Sequence, residues 1–339
     1  MGTNIKDILV YKNIDLKDLK GKTIAIDSFN MLFQFLSSIR QKDGLMLKDS
    51  KGEITSHIKG LFNRCVYFKK NDIHPIFIFD GKSPALKFDE KNIRNERREL
   101  AIAKYEQALI DNNFEEIKKH AVSALNKLDE KMINESIALI KAFGFKVINA
   151  PSEAEAQGAE IVKEKMAYAL ASQDFDSLLF GSTYLIRNLS VSTKRKIPNT
   201  DYYKDVDIEF YDLNENLENL NINLDELIII AILCGTDFNH GGIKGIGAKK
   251  ALRIVKEYRN RWDEMFKILE WHNYFNHTWI EVFNTFKHIE VFKNVQFEKP
   301  RFDKQKIADI LESHDFNKDA TIKVLSSIDT TTTLSAFIK

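Results

Sequence analysis

Short apolar runs alternate with helical stretches through the first half of the chain, and the runs end on acids. Residues 22–26 (KTIAI) lead into Asp27, 74–79 (HPIFIF) into Asp80, and 167–172 (AYALAS) towards Asp174 and Asp176. Between them, residues 28–40, 56–70 and 152–165 have helical spacing, the last with Pro151 just ahead. Apolar strands separated by helices predict an α/β fold with a mostly parallel central sheet and crossover helices. Ligands of such sheets gather beyond the carboxyl ends of the strands, which is where these acids fall. Residues 86–134 break the pattern: they are charged, nearly free of glycine and helical in period, a helical insertion rising from the sheet. From residue 224 the chain is helical again, interrupted by glycines near Gly242. Residues 262–297 hold all three tryptophans among many phenylalanines, at a spacing that predicts core packing.

Composition narrows the class. The 339 residues suffice for two domains or one large domain with insertions, and 44% hydrophobic with 29% charged residues describes a soluble globular protein. Lys+Arg (50) and Asp+Glu (49) leave a net charge of +1, which argues against a uniformly basic nucleic-acid coat and against an acidic solvating chain. Two cysteines, Cys65 and Cys234, cannot build a disulfide framework, so a reducing intracellular compartment is expected. The first residues lack the apolar core of a signal peptide. Lys6 stands where an N-myristoylation site needs Ser or Thr. The most apolar stretch, 227–234, is too short to cross a bilayer. A cytoplasmic protein with no membrane partner is expected.

Seven acids carry candidate chemistry: Asp27, Asp80, Glu153, Glu155, Asp174, Asp176 and Asp237. Each alone has a plain explanation as a helix or turn cap. Together they point to one sheet edge. Asp174 and Asp176 are two apart, so in extended backbone they project to one side. Glu153 and Glu155 would diverge on an ideal helix and converge only if the helix begins beside them. Carboxylates so gathered repel and need compensating cations. Oxygen-only ligands with no histidine or cysteine cluster favour magnesium or manganese over zinc. Two such ions about 3.5–4 Å apart suit phosphodiester hydrolysis.

The glycine cluster 241–256 (GGIKGIGAKKALRIVK) fits neither nucleotide-loop pattern: Ala248 stands where a Walker loop needs Lys, and Lys250 where a dinucleotide fingerprint needs Gly. It reads as a glycine hairpin opening a helix, able to grip a phosphate through backbone amides. Lys244, Lys249, Lys250, Arg253 and Lys256 make it basic without a single acid. Either a solvated basic helix or a sequence-independent clamp on a nucleic-acid backbone follows. In the helical insertion Lys87 and Arg94 are seven apart, so they share a helix face close behind Asp80, where cations could steer a phosphate. A third basic segment, 192–198 (STKRKIP), suits a solvated loop and a DNA contact equally.

IAIDSFNMLFQFL, FIFDGKSPALK, NERR, APSEAEAQ, SQDFDSLLFG and CGTDFNHGGIKGIGAKKAL occur here in this order. Together they resemble the motifs of the flap endonucleases, the structure-specific 5′ nucleases of DNA replication and repair, in their archaeal form. The resemblance is strongest before residue 260. It implies a PIN-like nuclease core with a helical arch and a helix–two-turn–helix element. The implied segments are core residues 1–98 and 116–258, an arch connection at 99–115, a C-terminal helical region at 259–325 and a sliding-clamp-binding tail at 330–338.

The implied activity is two-magnesium cleavage of 5′ flaps at the junction with duplex DNA, with 5′–3′ exonuclease trimming, in Okazaki-fragment maturation and base excision repair. The seven acids match the family's metal ligands: Asp80, Glu153 and Glu155 mainly for one ion, Asp174 and Asp176 for the other, Asp27 and Asp237 in outer positions. Manganese is a possible substitute. Lys87 and Arg94 match the basic pair that orients the scissile phosphate. Phe33 matches an aromatic on which a base stacks, and Arg40, Thr55 and Arg64 match contacts to the template strand and a one-nucleotide 3′ flap. Lys244, Lys249 and Lys250 belong to the duplex-holding element, which in the family also takes potassium. Gly2 matches a processed N-terminus beside the active site.

Leu334 and Phe337 fit a sliding-clamp motif, although Thr331 replaces its Gln and Ile338 its last aromatic. Phe175 and His240 stand where Tyr and Pro are common. The partners implied are branched DNA with a 5′ flap and a sliding clamp, met by a monomer. The alternatives are a 5′ exonuclease or gap nuclease of the same superfamily, and a non-catalytic junction binder or clamp adaptor, for which seven acids facing a polyanion would be a handicap.

Overall fold

In the computed structural model, residues 3–41, 45–125, 127–189, 194–196, 203–298 and 300–336 are described. The strands are β1 (Lys12–Ile14), β2 (Thr23–Asp27), β3 (His74–Phe79), β4 (Lys146–Asn149), β5 (Ala169–Ala171), β6 (Tyr184–Arg187), β7 (Lys194–Lys196), β8 (Tyr203–Asp205) and β9 (Ile208–Asp212). Seven of them form one sheet in the order β1-β9-β6-β5-β2-β3-β4, and β7 with β8 forms a separate ribbon. The stretch from β6 to β4 is parallel, while β9 and β1 add an antiparallel edge. The central strands are apolar because both faces are covered.

Side chains alternate along each strand and divide the core in two. Ile24, Ile26, Phe77 and Phe79 point to one face. There they meet α1 (Ser28–Ser38), α2 (Ser56–Lys70) and, beyond the helices α3 (Phe88–Ile110) and α4 (Phe114–Leu125), the helix α5 (Glu130–Ala142). Ala25, Ile76, Ile78 and Leu170 point to the other face, towards α6 (Ala154–Lys163). The same side of the sheet carries the short α7 (Asp176–Leu179), α8 (Leu213–Leu220), α9 (Leu224–Cys234) and α10 (Ala248–Tyr258). The chain continues through α11 (Trp262–Ile268) and α12 (Trp279–His288), then returns to the first face with α13 (Lys304–Glu312) and α14 (Lys318–Ala336).

The insertion is a long antiparallel hairpin of α3 and α4. Helix α3 runs unbroken through residues 98–99, where the core segment was expected to hand over to the arch connection. The tryptophans pack on their neighbours: the Phe266 and Trp279 rings stack at 4.9 Å, and Trp271 and Phe275 lie 4.3 Å apart. Among the described residues no helix is long and apolar enough to cross a membrane. Met1, Gly2, Phe337 and most of 192–198 lie outside the described residues.

Candidate active site

Strand register brings the acids together. In the parallel pairs Asp27 lies opposite Ile78, and Ile26 opposite Ala171, so β2, β3 and β5 end side by side. Asp27 closes β2, Asp80 follows β3, and Asp174 and Asp176 follow β5. The chain order changes direction across β2 and β5, the kind of switch point where α/β sheets bind ligands. Gly81 makes the approach of β3 to β4 possible, since a Cβ there would fall 2.0 Å from the Ala150 carbonyl oxygen. Its N–H donates to Ser152 O at 2.7 Å, and Asp80 next to it accepts from the Ala154 N–H at 2.6 Å.

Helix α6 does begin beside Glu153 and Glu155, and it sets Glu153 near Asp80, Asp237 and Lys87 and Glu155 near Asp27, Asp174 and Asp176. Glu153 is the N-cap of α6, in extended backbone (φ −80°, ψ 136°), and Glu155 lies in the first helical turn. Asp237 arrives from the other side on the loop after α9. Gly235 (φ +98°) and Gly242 (φ +60°) let that loop fold back until backbone meets backbone. Asn239 holds it, donating to Ile232 O at 2.7 Å and accepting from Thr236 Oγ1 at 2.7 Å.

The site is buried and negative. Asp27, Glu153 and Asp176 are buried, and Asp80 opens to solvent at the mouth. Burial first, then the nearby Asp80 charge, pushes the Asp27 carboxyl up to about 8. Asp176 is pushed up to about 6 by burial and Asp237, against the pull of its hydrogen bonds to Thr3. Glu155 is raised well above its ordinary range by burial and then by Asp176, Asp174 and Asp27. Burial also raises Glu153 and Asp80. These pairwise interactions link all seven acids into one electrostatic network.

Lys87, at the base of α3, is the cation set deepest among them. Its Nζ lies 2.5 Å from Glu153 Oε2 and 3.3 Å from Asp237 Oδ2. Burial alone would lower its pKa, but Glu153 and Asp237 overcome that and hold it above the ordinary lysine value. Arg94, two turns along α3, reaches Asp237 Oδ2 at 3.3 Å.

The other expected site residues fall in three groups. Phe33 is exposed on α1. Lys244, Lys249 and Lys250 are exposed on the loop and first turn of α10, with Lys250 Nζ 3.3 Å from Gly245 O. Arg40, Thr55 and Arg64 are less open. Burial lowers the Arg40 pKa, Thr55 is buried at the start of α2, and Arg64 is buried with Nη1 donating to Leu189 O. Arg64 lines a small cleft with Asp27, Asn30 and Ser172, behind the acids. Leu334 falls on α14.

Sequence reasoning missed the residues that tether the acids. Thr3, Asn30, Ser172 and Ser177 donate to Asp176, Asp174 and Glu155. Only Asn30, three residues after Asp27, and the serines flanking Asp174 carried a local signal.

The XPG N-terminal domain matches residues 3–101, and the XPG I-region matches residues 144–237. Flap endonuclease 1 of Pyrococcus horikoshii is 48% identical over 260 residues, covering 77% of this chain and 76% of that protein. Flap endonuclease 1 of Sulfolobus acidocaldarius is 42% identical over 321 residues, covering 94% and 91%. The chain belongs to the flap endonuclease 1 family. Its fold agrees with the solved flap endonuclease-1 of Methanococcus jannaschii at a TM-score of 0.73 and 36% identity, over 97% of this chain and 98% of that one. The catalytic core of Rad2 in complex with DNA substrate shares the fold at a TM-score of 0.70 and 22% identity, over 96% and 100%. The Sulfolobus acidocaldarius relative and the Methanococcus jannaschii structure therefore span nearly the whole length, including the aromatic helical region where the motifs fade.

Proposed function

We propose that this chain cuts 5′ flaps of branched DNA at the junction of single strand and duplex, and trims 5′ ends, in replication and repair. The observation that carries the reading is the meeting of seven carboxylates at the ends of β2, β3 and β5, the start of α6 and the loop after α9, five of which (Asp27, Asp80, Glu153, Glu155 and Asp176) are raised above their ordinary range. The donor set fits two hard divalent cations. It is all oxygen, and its charge exceeds what Lys87 and Arg94 return. Asp80, Glu153 and Glu155 would hold one ion and Asp174 and Asp176 the other, with Asp27 and Asp237 outside. When bound, two magnesium ions, or manganese in their place, polarise the scissile phosphate and offset its developing charge.

The protein does the placing. Lys87, just ahead of α3 among the acids, and Arg94, on α3 at the cleft edge, offer N–H donors to a phosphate oxygen. Phe33 presents an open ring for a base. The amides at the start of α10, with Lys244, Lys249 and Lys250, grip duplex phosphates without reading sequence. Carbonyls of the same glycine loop suit potassium. Arg40, Thr55 and Arg64 border the start of α2 and the cleft behind Asp27. Arg64 can reach DNA only by releasing Leu189 O.

The segment boundaries given above, a monomeric state and a cytoplasmic, nucleoid-associated location belong to this reading. So does docking of residues 330–338, with Leu334 and Phe337, on a sliding clamp. The test is cleavage of 5′-labelled flap, nicked and single-stranded DNA with magnesium and then with a chelator. Products ending at the flap junction, lost on chelation, are expected. Indifference to the junction or to the chelator would overturn the reading.

A further inference from the structure

The cleft acids share a pattern: one oxygen of each is fixed by a donor from the protein. Asp27 Oδ1 accepts from the Asn30 N–H at 3.1 Å, and Asp80 Oδ1 from the Ala154 N–H at 2.6 Å. Asp174 Oδ2 accepts from Asn30 Nδ2 at 3.3 Å. Glu155 Oε1 takes two hydroxyls, Ser172 Oγ at 2.8 Å and Ser177 Oγ at 2.9 Å. Every one of these donors stands within a few positions of one or another cleft acid in sequence. Asp176 is the exception. Its Oδ1 accepts both the Thr3 N–H at 2.9 Å and the Thr3 hydroxyl at 2.6 Å, from 173 positions away.

Both residues are buried, Thr3 at 2% exposure and Asp176 at 4%. Asp176 opens α7, the shortest helix of the core, whose four residues have little rigidity of their own. Its carboxylate also faces Asp237 and Asp174, which push it outward. A side chain so placed rotates about χ2 unless something outside its own loop holds it. Among the described residues no hydrogen bond reaches its Oδ2.

We propose that Thr3 is a positioning residue for divalent-cation binding. Its hydroxyl and amide pin Oδ1 of Asp176 and leave Oδ2 as the oxygen offered to a cation. The N-terminal segment thereby becomes an outer support of the site, in the way that hydrogen-bonded partners orient metal-binding carboxylates elsewhere. Valine has the same shape as threonine and keeps the amide bond, so it removes the hydroxyl alone. The inference rests on the nuclease reading above, and the experiment separates the two.

Manganese affinity of the full chain without DNA is measured by calorimetry or by electron paramagnetic resonance for wild type, Thr3→Val, Thr3→Ala, Thr3→Ser and Asp176→Asn. Thr3→Val and Thr3→Ala should bind manganese roughly tenfold more weakly, while Thr3→Ser stays close to wild type. In flap cleavage the half-saturating magnesium concentration should rise by a similar factor, with the rate recovered at saturating metal. A merely structural residue would lower the saturated rate and leave the metal requirement alone. Circular dichroism checks that each variant is folded, and either hydroxyl-free variant that folds with wild-type manganese affinity overturns the proposal. If Asp176→Asn also binds as wild type does, the metal reading itself fails. If Asp176→Asn loses the ion while Thr3→Val keeps it, only the role of Thr3 falls.

Discussion

Two carboxylate clusters among the described residues are opposite in character. In the cleft, Asp27 and Asp176 are buried beside the half-buried Glu155, and the pKa values of all three rise. On the loop just ahead of α2, Asp49 and Glu53 meet His314 from the turn after α13, with polar atoms within 4.8 Å of one another. There every acid is answered. Asp49 accepts from the Lys51 and Glu53 N–H groups and faces His314 Nδ1 at 3.3 Å, Glu53 pairs with Lys131 at 2.5 Å, and His314 Nε2 faces Glu135 at 3.4 Å. Burial would raise the Asp49 pKa, but the Glu53 N–H and His314 outweigh it and hold it low. Proximity of acids is common to both places. What separates a reactive site from a structural tie is the charge left over.

The largest test of that contrast removes an acid from the cleft. Asp176→Ala should reduce cleavage by roughly 10³-fold or more, since an electrostatic centre of the reaction is lost. DNA affinity, measured by fluorescence anisotropy, should stay near wild type. Near-normal cutting would mean that the cleft is not the reactive cluster. Lys87→Ala should come next, slowing single-turnover cleavage by about 10²-fold with little change in Kd. An unchanged rate would leave Lys87 as no more than a partner for Glu153 and Asp237.

The fold and most of the cleft were legible because they follow from local rules. Apolar runs ending in acids gave β2, β3 and β5, and the register of a parallel sheet did the rest. Pro151 marked the start of α6 closely enough to place Glu153 and Glu155 at its opening. The antiparallel edge was not visible: β1 (KNI) is three residues long and pairs with β9 from the opposite end of the core. Nor was Thr3, because nothing in MGTNIKD marks a contact 173 residues away. The buried state of Thr55 and Arg64 is of the same kind, decided by the packing of Phe35 and Phe68 around the guanidinium. Long-range contacts of polar side chains leave no period in a sequence.

A smaller effect separates the clusters by pH. Asp27 and Asp176 have folded pKa values of about 8 and about 6, above the usual unfolded value of about 3.9. The folded chain therefore holds more protons than the unfolded chain between about pH 4 and 8, and stability falls as pH rises through that window. In metal-free buffer the melting temperature should decline from pH 5 towards pH 8, and magnesium should flatten the slope by binding the ionised acids. A slope that magnesium leaves untouched would detach these pKa shifts from cation binding.

Asp49→Asn gives the smallest effect and the sharpest contrast. Asparagine keeps the side-chain oxygen that caps the Lys51 and Glu53 N–H groups, so the turn itself survives. What is lost is the charge facing His314. Because the Asp49 pKa is depressed on folding, its contribution exists above the unfolded value and disappears as pH falls through the folded one. The variant should therefore melt a little below wild type at neutral pH, by about two degrees, and coincide with it in acid. That is the reverse of the sign expected of the cleft acids. Manganese affinity should not move, since this cluster carries its own counter-charges. A matched loss of manganese binding would show that Asp49 and its neighbours hold an ion after all, and the distinction between the two clusters would no longer stand.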